Sequence, residues 1–380
     1  MSALASHAGQ LTINRAALAA NWRLLNARCS SGVAGAVIKA DAYGLGIGIA
    51  APALFDAGCR TFFVAHVSEA IRARAVLPEG EIFVLNGLAA GEVHLYAAHR
   101  LSPVLGSLDE LELWEGFCQA NPVATPGAMH VDTGMNRLGL RPETFRELLT
   151  AGRFPNAAIS LVMSHFVSSE VAASPVTARQ HSLFQDLAGL LRAADHVRAS
   201  RLKTRLSLCN SSGHFLGAVV DYDLSRPGYA LYGGNPTPGL ANPMRQVVRL
   251  EAPVVQILSV PKGETVGYGS NFKATRDSLI ATVSCGYADG YPRNAGASPH
   301  RKGGSAVLAG QECPFAGNVS MDLITIDITH LERQSVKVGD MALLLGDGLD
   351  LDRVGEAAGT IGYEILTNLG SRYQRELAGA

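Results

Sequence analysis

The chain has 380 residues, of which 47% are hydrophobic and 17% charged, and its formal net charge is -1. That length accommodates two domains, or one barrel with an appendage, and the composition is that of a folded globular protein rather than a disordered one. Without a basic surplus to neutralise a phosphate backbone, nucleic-acid binding is not expected.

At the N-terminus, MSALASHAGQLTINRAAL lacks a basic segment followed by an apolar one, so no secretory signal is expected. No stretch approaches the ~20 consecutive apolar residues that span a bilayer, so no membrane association is expected either and a cytoplasmic location is. The first ~240 residues then alternate short apolar runs with helical stretches, the pattern of βα units around a parallel sheet. The runs are VAGAVIKA (33–40), TFFVAH (61–66), EIFVLN (81–86), LSPVLG (101–106), AMHVD (128–132), ISLVMSH (159–165), RLSLCN (205–210) and YDLSRPGYALYG (222–233). Eight such strands, apolar on both faces, fit an α/β fold of the (β/α)8, TIM-like barrel type better than an open sheet. After the Pro- and Gly-rich GGNPTPGLANP the pattern changes to short β-rich runs with few helices between them, such as DSLIATVSC, LITIDI and MALLLG. A barrel over 1–240 and a smaller, mainly antiparallel β domain over 241–380 are therefore expected. The six cysteines are scattered and form no C-x-x-C pair, which points to reduced thiols and away from zinc or any other metal.

The barrel runs end on polar or ionisable residues: Lys39, His66, Asn86, Asp132, His165, Asn210 and Arg226. In a (β/α)8 barrel these strand ends meet at one face, which carries the chemistry. Lys39 follows the apolar Ala36-Val37-Ile38 and precedes the flexible DAYGLG. At the lip of a dry pocket its ammonium is disfavoured by desolvation, and the free amine can condense with an aldehyde cofactor. A surface lysine lying along a strand end gives the same local pattern. Asn210-Ser211-Ser212-Gly213 after the seventh run, and Arg226-Pro227-Gly228-Tyr229 at the eighth, place small residues where barrels bind phosphate; N-S-S-G is also an ordinary turn. His66 reads as a satisfied strand-end histidine, and Arg137 and Asp132 could simply pair with each other.

The stretches K-A-D-A-Y-G-L-G (39–46), V-D-T-G-M-N-R-L-G (131–139), R-P-G-Y-A-L-Y-G (226–233), C-G-Y-A-D-G-Y-P-R (285–293) and N-V-S-M-D (318–322) resemble the alanine racemase family. They stand in the family's order and cover nearly the whole chain. The resemblance implies a pyridoxal 5'-phosphate enzyme that interconverts L- and D-alanine and supplies D-alanine for cell-wall peptidoglycan. It implies a homodimer with shared active sites. Lys39 would carry the cofactor as an aldimine, with Tyr43, Asn210, Ser211, Gly228 and Tyr229 around its phosphate and Arg226 at its ring nitrogen. Tyr287, arriving from the partner subunit, would be the second base, with Met321 and Asp322 crossing beside it. Arg137 would assist the substrate carboxylate or the Tyr287 neighbourhood, and His165 would hydrogen-bond near Tyr287 and Arg226. Two acid/base groups on opposite faces let the α-proton leave one face and return to the other without turning the substrate. An arginine at the ring nitrogen would leave that nitrogen unprotonated, which limits carbanion delocalisation and disfavours side reactions such as transamination.

The chain departs from the family pattern in three places. Where many members carry a carbamylated lysine, two residues before the D-T-G-M aspartate, this chain has His130, whose imidazole forms no stable carbamate. Where a histidine often precedes the Asn-Ser pair by three, it has Ser207. Where some members place a phosphate-side tyrosine just before an arginine, it has Ser371-Arg372. Alternatives to alanine racemisation are a racemase of another small amino acid such as serine, a fold-related pyridoxal-phosphate decarboxylase, and a non-catalytic cofactor-binding barrel. Arg226, Tyr287 and Met321-Asp322 favour the racemase, and the last alternative leaves the β domain without a purpose.

Overall fold

Apolar runs buried on both faces build the first sheet. Every residue of Thr61–Val64, Ser102–Leu105 and Gly127–His130 is buried, as parallel strands covered on both sides must be. The structure is a computed structural model that describes residues 8–122, 124–155, 158–171, 173–197, 203–217, 222–298 and 300–379. Residues 1–7 of the stretch read for a secretory signal lie outside that set. Seven parallel strands follow one another in chain order: Ala36–Val37, Thr61–Val64, Glu81–Val84, Ser102–Leu105, Gly127–His130, Ile159–Met163 and Arg205–Ser207. Leu224–Ser225 closes the barrel. It pairs in parallel with Val33–Ala34, just upstream of the first strand. On its other side Asp223 N donates to Leu206 O (3.1 Å) and Arg226 N to Cys209 O (2.8 Å). All eight expected runs thus contribute backbone to the barrel.

Helices cover the outside. Ile47–Asp56, Val67–Val76, Val93–Ala98, Leu108–Ala120, Pro142–Thr150 and Pro175–Val197 follow the first six strands in turn, and a 3-10 turn, Ser212–Phe215, follows the seventh. Ser107 shows why one of them starts where it does. Its hydroxyl accepts from Glu110 N (3.2 Å), satisfying an end donor of Leu108–Ala120. Helix Arg15–Ala27 precedes the first strand and lies over the seam of the barrel, where Trp22 Nε1 donates to Ala34 O (3.0 Å).

The second domain is a mainly antiparallel sheet organised on the long strand Val248–Val260. The first half of that strand pairs with Gln10–Asn14 and Met341–Leu345, and the second half with Ser278–Val283. A register shift between Val254 and Gln256 marks the changeover. One feature departs from the sequence reading. Gln10–Asn14, expected in the barrel half, belongs to this sheet, antiparallel to Val248–Val260 and parallel to Gln374–Ala378. A strand of alternating burial needs only one covered face, and the β domain offers it. No helix among the described residues is long and apolar enough to cross a membrane.

Asn21 ties three elements together at the junction. Its side-chain amide donates to Leu231 O (3.1 Å) and Arg245 O (2.8 Å) and accepts from Arg245 N (2.7 Å), and the residue is 1% exposed. Asn21→Ala leaves three backbone groups without these partners and should destabilise the fold by about 2–4 kcal/mol. Urea denaturation of the cofactor-free protein measures this, and an unchanged midpoint would show that the amide does not hold the junction.

Candidate active site

The first barrel strand runs directly into Lys39, and the chain then turns the wrong way. Ala40, Asp41, Ala42 and Tyr43 all have φ between 52° and 55°, a single left-handed helical turn that ends on Gly44. Such a turn costs about 1–2 kcal/mol per non-glycine residue and must be held by its surroundings. Ala42 N donates to Ile38 O (2.9 Å), Gly44 N to Ala40 O (2.8 Å) and Gly46 N to Asp41 O (2.7 Å). The buried Glu69 carboxylate accepts from Ala40 N (2.7 Å), Ala65 N (2.8 Å) and His66 N (3.3 Å). From the far end of the chain, Arg375 donates to Gly44 O and Leu45 O, both at 2.9 Å. The segment read as flexible is a fixed, strained corner that carries the lysine.

Lys39 opens onto a cavity of about 760 Å³ at the C-terminal mouth of the barrel. Of the residues singled out in the sequence, Lys39, Tyr43, Arg137, His165, Asn210, Ser211, Arg226, Gly228 and Tyr229 all line it. Desolvation lowers the lysine's pKa, Arg137 lowers it further, and Glu69 opposes them. Lys39 is therefore a stronger candidate for the free amine than an ordinary lysine.

Beside the strand that carries Lys39, joined to it where Val37 N donates to Pro227 O (2.9 Å), lies a cradle of small residues. Ser211 Oγ accepts from Gly228 N (3.0 Å) and Ala230 N (3.2 Å), and Asn210 Oδ1 accepts from Gly213 N (3.0 Å) and Ser169 Oγ (2.7 Å). A Cβ on Gly228 would lie 2.2 Å from the Tyr43 hydroxyl, so only glycine lets that phenol reach the cradle. Tyr43 is buried, stacks on Tyr232 at 4.6 Å between centroids, and has its pKa raised by burial and by Tyr363. A phenol that stays protonated is a donor for an anion. Tyr229 lines the cavity as well. Its hydroxyl donates away from the cavity, to Asp352 Oδ1 (2.7 Å).

Arg226 is 3% exposed, and its pKa, lowered by burial to about 10, still leaves it charged at neutral pH. Its guanidinium donates to Ser207 Oγ and Ser164 O, and Nη2 lies 3.5 Å from His165 Nδ1. Ser207 thus supports the arginine with its hydroxyl oxygen, and the hydroxyl donates in turn to Leu224 O (2.5 Å). Because arginine cannot accept, His165 Nδ1 is the acceptor and Nε2 carries the proton. Burial pushes His165 down to about 3, reinforced by Arg226, His130, Arg137 and Lys39. His130 is held at about 4 by burial and Arg226, with Arg137 adding to the effect and Asp132 opposing it. Both imidazoles are neutral near pH 7. The charged side chains lining the cavity are Lys39, Arg137 and Arg226, all cationic, a field suited to a phosphate and a carboxylate.

Three strand-end residues behave differently from one another. Asn86 lines the cavity. His66 starts helix Val67–Val76 instead. Asp132 shapes its own loop: against burial, which raises its pKa, the N–H groups of Gly134, Asn136 and Met135 and the Arg141 cation hold it low. Its ion pair is with Arg141 at 3.4 Å, so the suspected pairing with Arg137 does not form. Tyr363 and Thr367 were missed in the sequence. They come from the short helix Gly362–Thr367, where Tyr363 lines the cavity and stacks on Tyr229 at 4.0 Å. Tyr363 stands eight positions upstream of Ser371.

Tyr287, Met321 and Asp322 do not reach this cavity. They form one exposed knob on the β domain, joined by Tyr287 N to Ser320 O (3.0 Å) and Ala288 N to Met321 O (2.9 Å). Tyr287 is 40% exposed and Met321 53%, and Asp322 pairs with Arg372 at 2.9 Å. No group of His, Cys, Asp and Glu among the described residues could hold a metal ion, and none of the six cysteines forms a disulfide.

A desolvated lysine on a strained turn, a cradle of small residues and a buried arginine, all lining one cavity, define a barrel enzyme built around an aldehyde-bearing phosphate cofactor. Comparison with known proteins narrows the class. Residues 13–236 match the alanine racemase N-terminal domain and residues 247–377 the C-terminal domain. The chain is 52% identical over 375 residues to an alanine racemase of Methylobacterium sp. (strain 4-46), covering 99% of both chains. It is 47% identical to that of Acidiphilium cryptum, over 96% of this chain and 97% of that one. The crystal structure of alanine racemase from Bartonella henselae with covalently bound pyridoxal phosphate superimposes with a TM-score of 0.88 at 36% identity, covering 98% of this chain and all (100%) of that one. The chain belongs to the alanine racemase family.

The two depressed histidines set a pH dependence of stability. Above their ordinary pKa of 6.5 both are neutral, folded or unfolded, and contribute no slope. Below it the unfolded chain takes up protons that the fold refuses, so stability falls from pH 6.5 down to about 4 for His130 and about 3 for His165. Each adds up to about 1.4 kcal/mol per pH unit. His130→Gln should remove its share of that slope in a series of urea titrations between pH 6.5 and 4; an identical slope would disprove the assignment.

Proposed function

We propose that this chain interconverts L- and D-alanine with pyridoxal phosphate, as a homodimer in which each β domain completes the partner's barrel site. The observation that carries the cofactor is the geometry of Lys39. Its amine, with a lowered pKa, opens onto a cavity that Ser211, Gly228 and Tyr43 also line, where the glycine leaves room for the phenol. These residues fit the group. Lys39 would bond its aldehyde, the cradle would take its phosphate, and the remaining N–H donors of Arg226 would face its ring nitrogen. When bound, the cofactor supplies the electron sink that makes a substrate α-proton removable.

The protein's own part is to place proton-transfer groups on both faces and an anion site for the carboxylate. Lys39 Nζ takes or returns the proton on one face. Tyr287 of the partner subunit does so on the other, with Met321 and Asp322 of the partner subunit beside it. His165 holds Arg226 in place, and Arg137 takes the substrate carboxylate. His130, neutral and uncarbamylated, supplies no counter-charge to Arg137, which leaves that cation available to substrate. The dimer is supported by the knob itself: Tyr287 and Met321 are exposed and stand apart from the cavity of their own chain. We place the enzyme in the cytoplasm and in the supply of D-alanine for peptidoglycan.

Incubation with L-alanine should yield D-alanine, and Lys39→Ala should abolish both the product and the cofactor's visible absorption band. An intact band without racemisation would point to another amino acid or to decarboxylation. Mixing inactive Lys39→Ala and Tyr287→Phe proteins under exchange conditions should restore about one quarter of wild-type activity, because half of the dimers then hold one intact site. No recovery would place both bases in one subunit.

A further inference from the structure

Tyr229 is set into a socket made for it. A Cβ on Gly362 would lie 1.7 Å from its hydroxyl, and one on Gly234 would lie 2.1 Å from its ring. Neither position admits a side chain while the tyrosine is in place. The phenol donates to Asp352 Oδ1 at 2.7 Å, and Asp352 Oδ2 accepts from Asn235 N at 3.0 Å. The ring face stacks on Tyr363 at 4.0 Å with an interplanar angle of 11°. Asp352 lies on helix Leu351–Ala358 and Tyr363 on helix Gly362–Thr367, so two helices of the β domain close on one barrel side chain. One is held through its hydroxyl and the other through its ring. Tyr229 itself is 4% exposed whereas Tyr363 is 42% exposed, so Tyr363 takes its position from what it leans on.

We propose that Tyr229 and Asp352 form a latch that positions Tyr363 at the cradle side of the cavity, and that the latch sets how tightly the cofactor is retained. Asp352 is a positioning residue in this scheme, because it does not line the cavity and acts through Tyr229. The retention half rests on the pyridoxal-phosphate reading above; the positioning half does not. A charged acceptor strengthens the bond beyond that of a neutral pair, so its loss is large enough to measure. The stack on Tyr229 adds orientation that an aliphatic side chain there would not provide.

The test uses the full chain, with and without pyridoxal phosphate. Tyr229→Phe keeps the ring and removes the hydroxyl; Asp352→Ala removes the acceptor; Asp352→Asn is the milder variant should Asp352→Ala fail to fold. Hydrogen exchange over residues 362–367 reads the position of Tyr363, and titration of the cofactor-free protein with pyridoxal phosphate reads retention. Each single variant should speed exchange in that helix and weaken cofactor binding by about tenfold. The double variant should do no worse than either single one. Unchanged exchange in both variants, or losses that multiply in the double variant, would overturn the latch. Faster exchange with unaltered cofactor binding would overturn the retention half. If the unmutated chain bound no pyridoxal phosphate, the cofactor reading would fail while exchange still decided the positioning of Tyr363.

Discussion

A charge without a counter-charge organises this site. Arg226 is buried in the wall of the cavity, and among the described residues no carboxylate pairs with it. Isolated cations are costly to bury, and this one is solvated by neutral acceptors: a serine hydroxyl, a backbone carbonyl and an imidazole nitrogen. The rest of the cavity follows from it. Burial, reinforced by this charge, keeps His130 and His165 neutral, and the bond to Arg226 fixes the tautomer of His165. The remaining cations, Lys39 and Arg137, share a space without internal anions. That space is complementary to a doubly anionic cofactor end and a carboxylate substrate, and the energy withheld by the absent counter-charge is available to bind them.

The second constraint is conformational. Lys39 must leave the first strand and point into the mouth, and the chain achieves this with a left-handed turn over four consecutive non-glycine residues. The strain is tolerated because the turn is anchored from three directions: by its own backbone, by Glu69 on the neighbouring unit and by Arg375 on the last strand. Lys39 is thus fixed by both domains, and the β domain contributes to the cavity of its own chain as well as to the knob that carries Tyr287.

Most of the barrel was legible because its strands are short, apolar on both faces and terminated by polar residues, a pattern that few other folds produce. The site residues on those strand ends were legible for the same reason, and the family motifs extended the reading to Tyr287 and Met321-Asp322. What escaped was decided by long-range geometry. Gln10–Asn14 pairs with strands more than 230 positions away, as Leu11 with Leu250 and with Arg375, and its alternating pattern serves any half-covered sheet. Tyr363 sits in G-Y-E-I-L, which reads as an ordinary amphipathic helix, so no local signal marks its ring as part of the cavity. The left-handed turn has no signature beyond Gly44, because alanine, aspartate and tyrosine rarely adopt it. Ser207 was visible only as a missing histidine; that a hydroxyl would hold Arg226 required the barrel interior.

The placement of the first strand also governs the order in which this protein can be made. Gln10–Asn14 lies between Val248–Val260 and Gln374–Ala378, so the β domain draws on both ends of the chain. On the ribosome the barrel's eight strands emerge in sequence and can close on one another. The opening strand meanwhile has neither neighbour, and its second partner, Gln374–Ala378, emerges long after the first. During that interval it is an unpaired edge, open to the wrong companion. The sheet is completed last, and a nascent chain released early would have its barrel but no finished β domain.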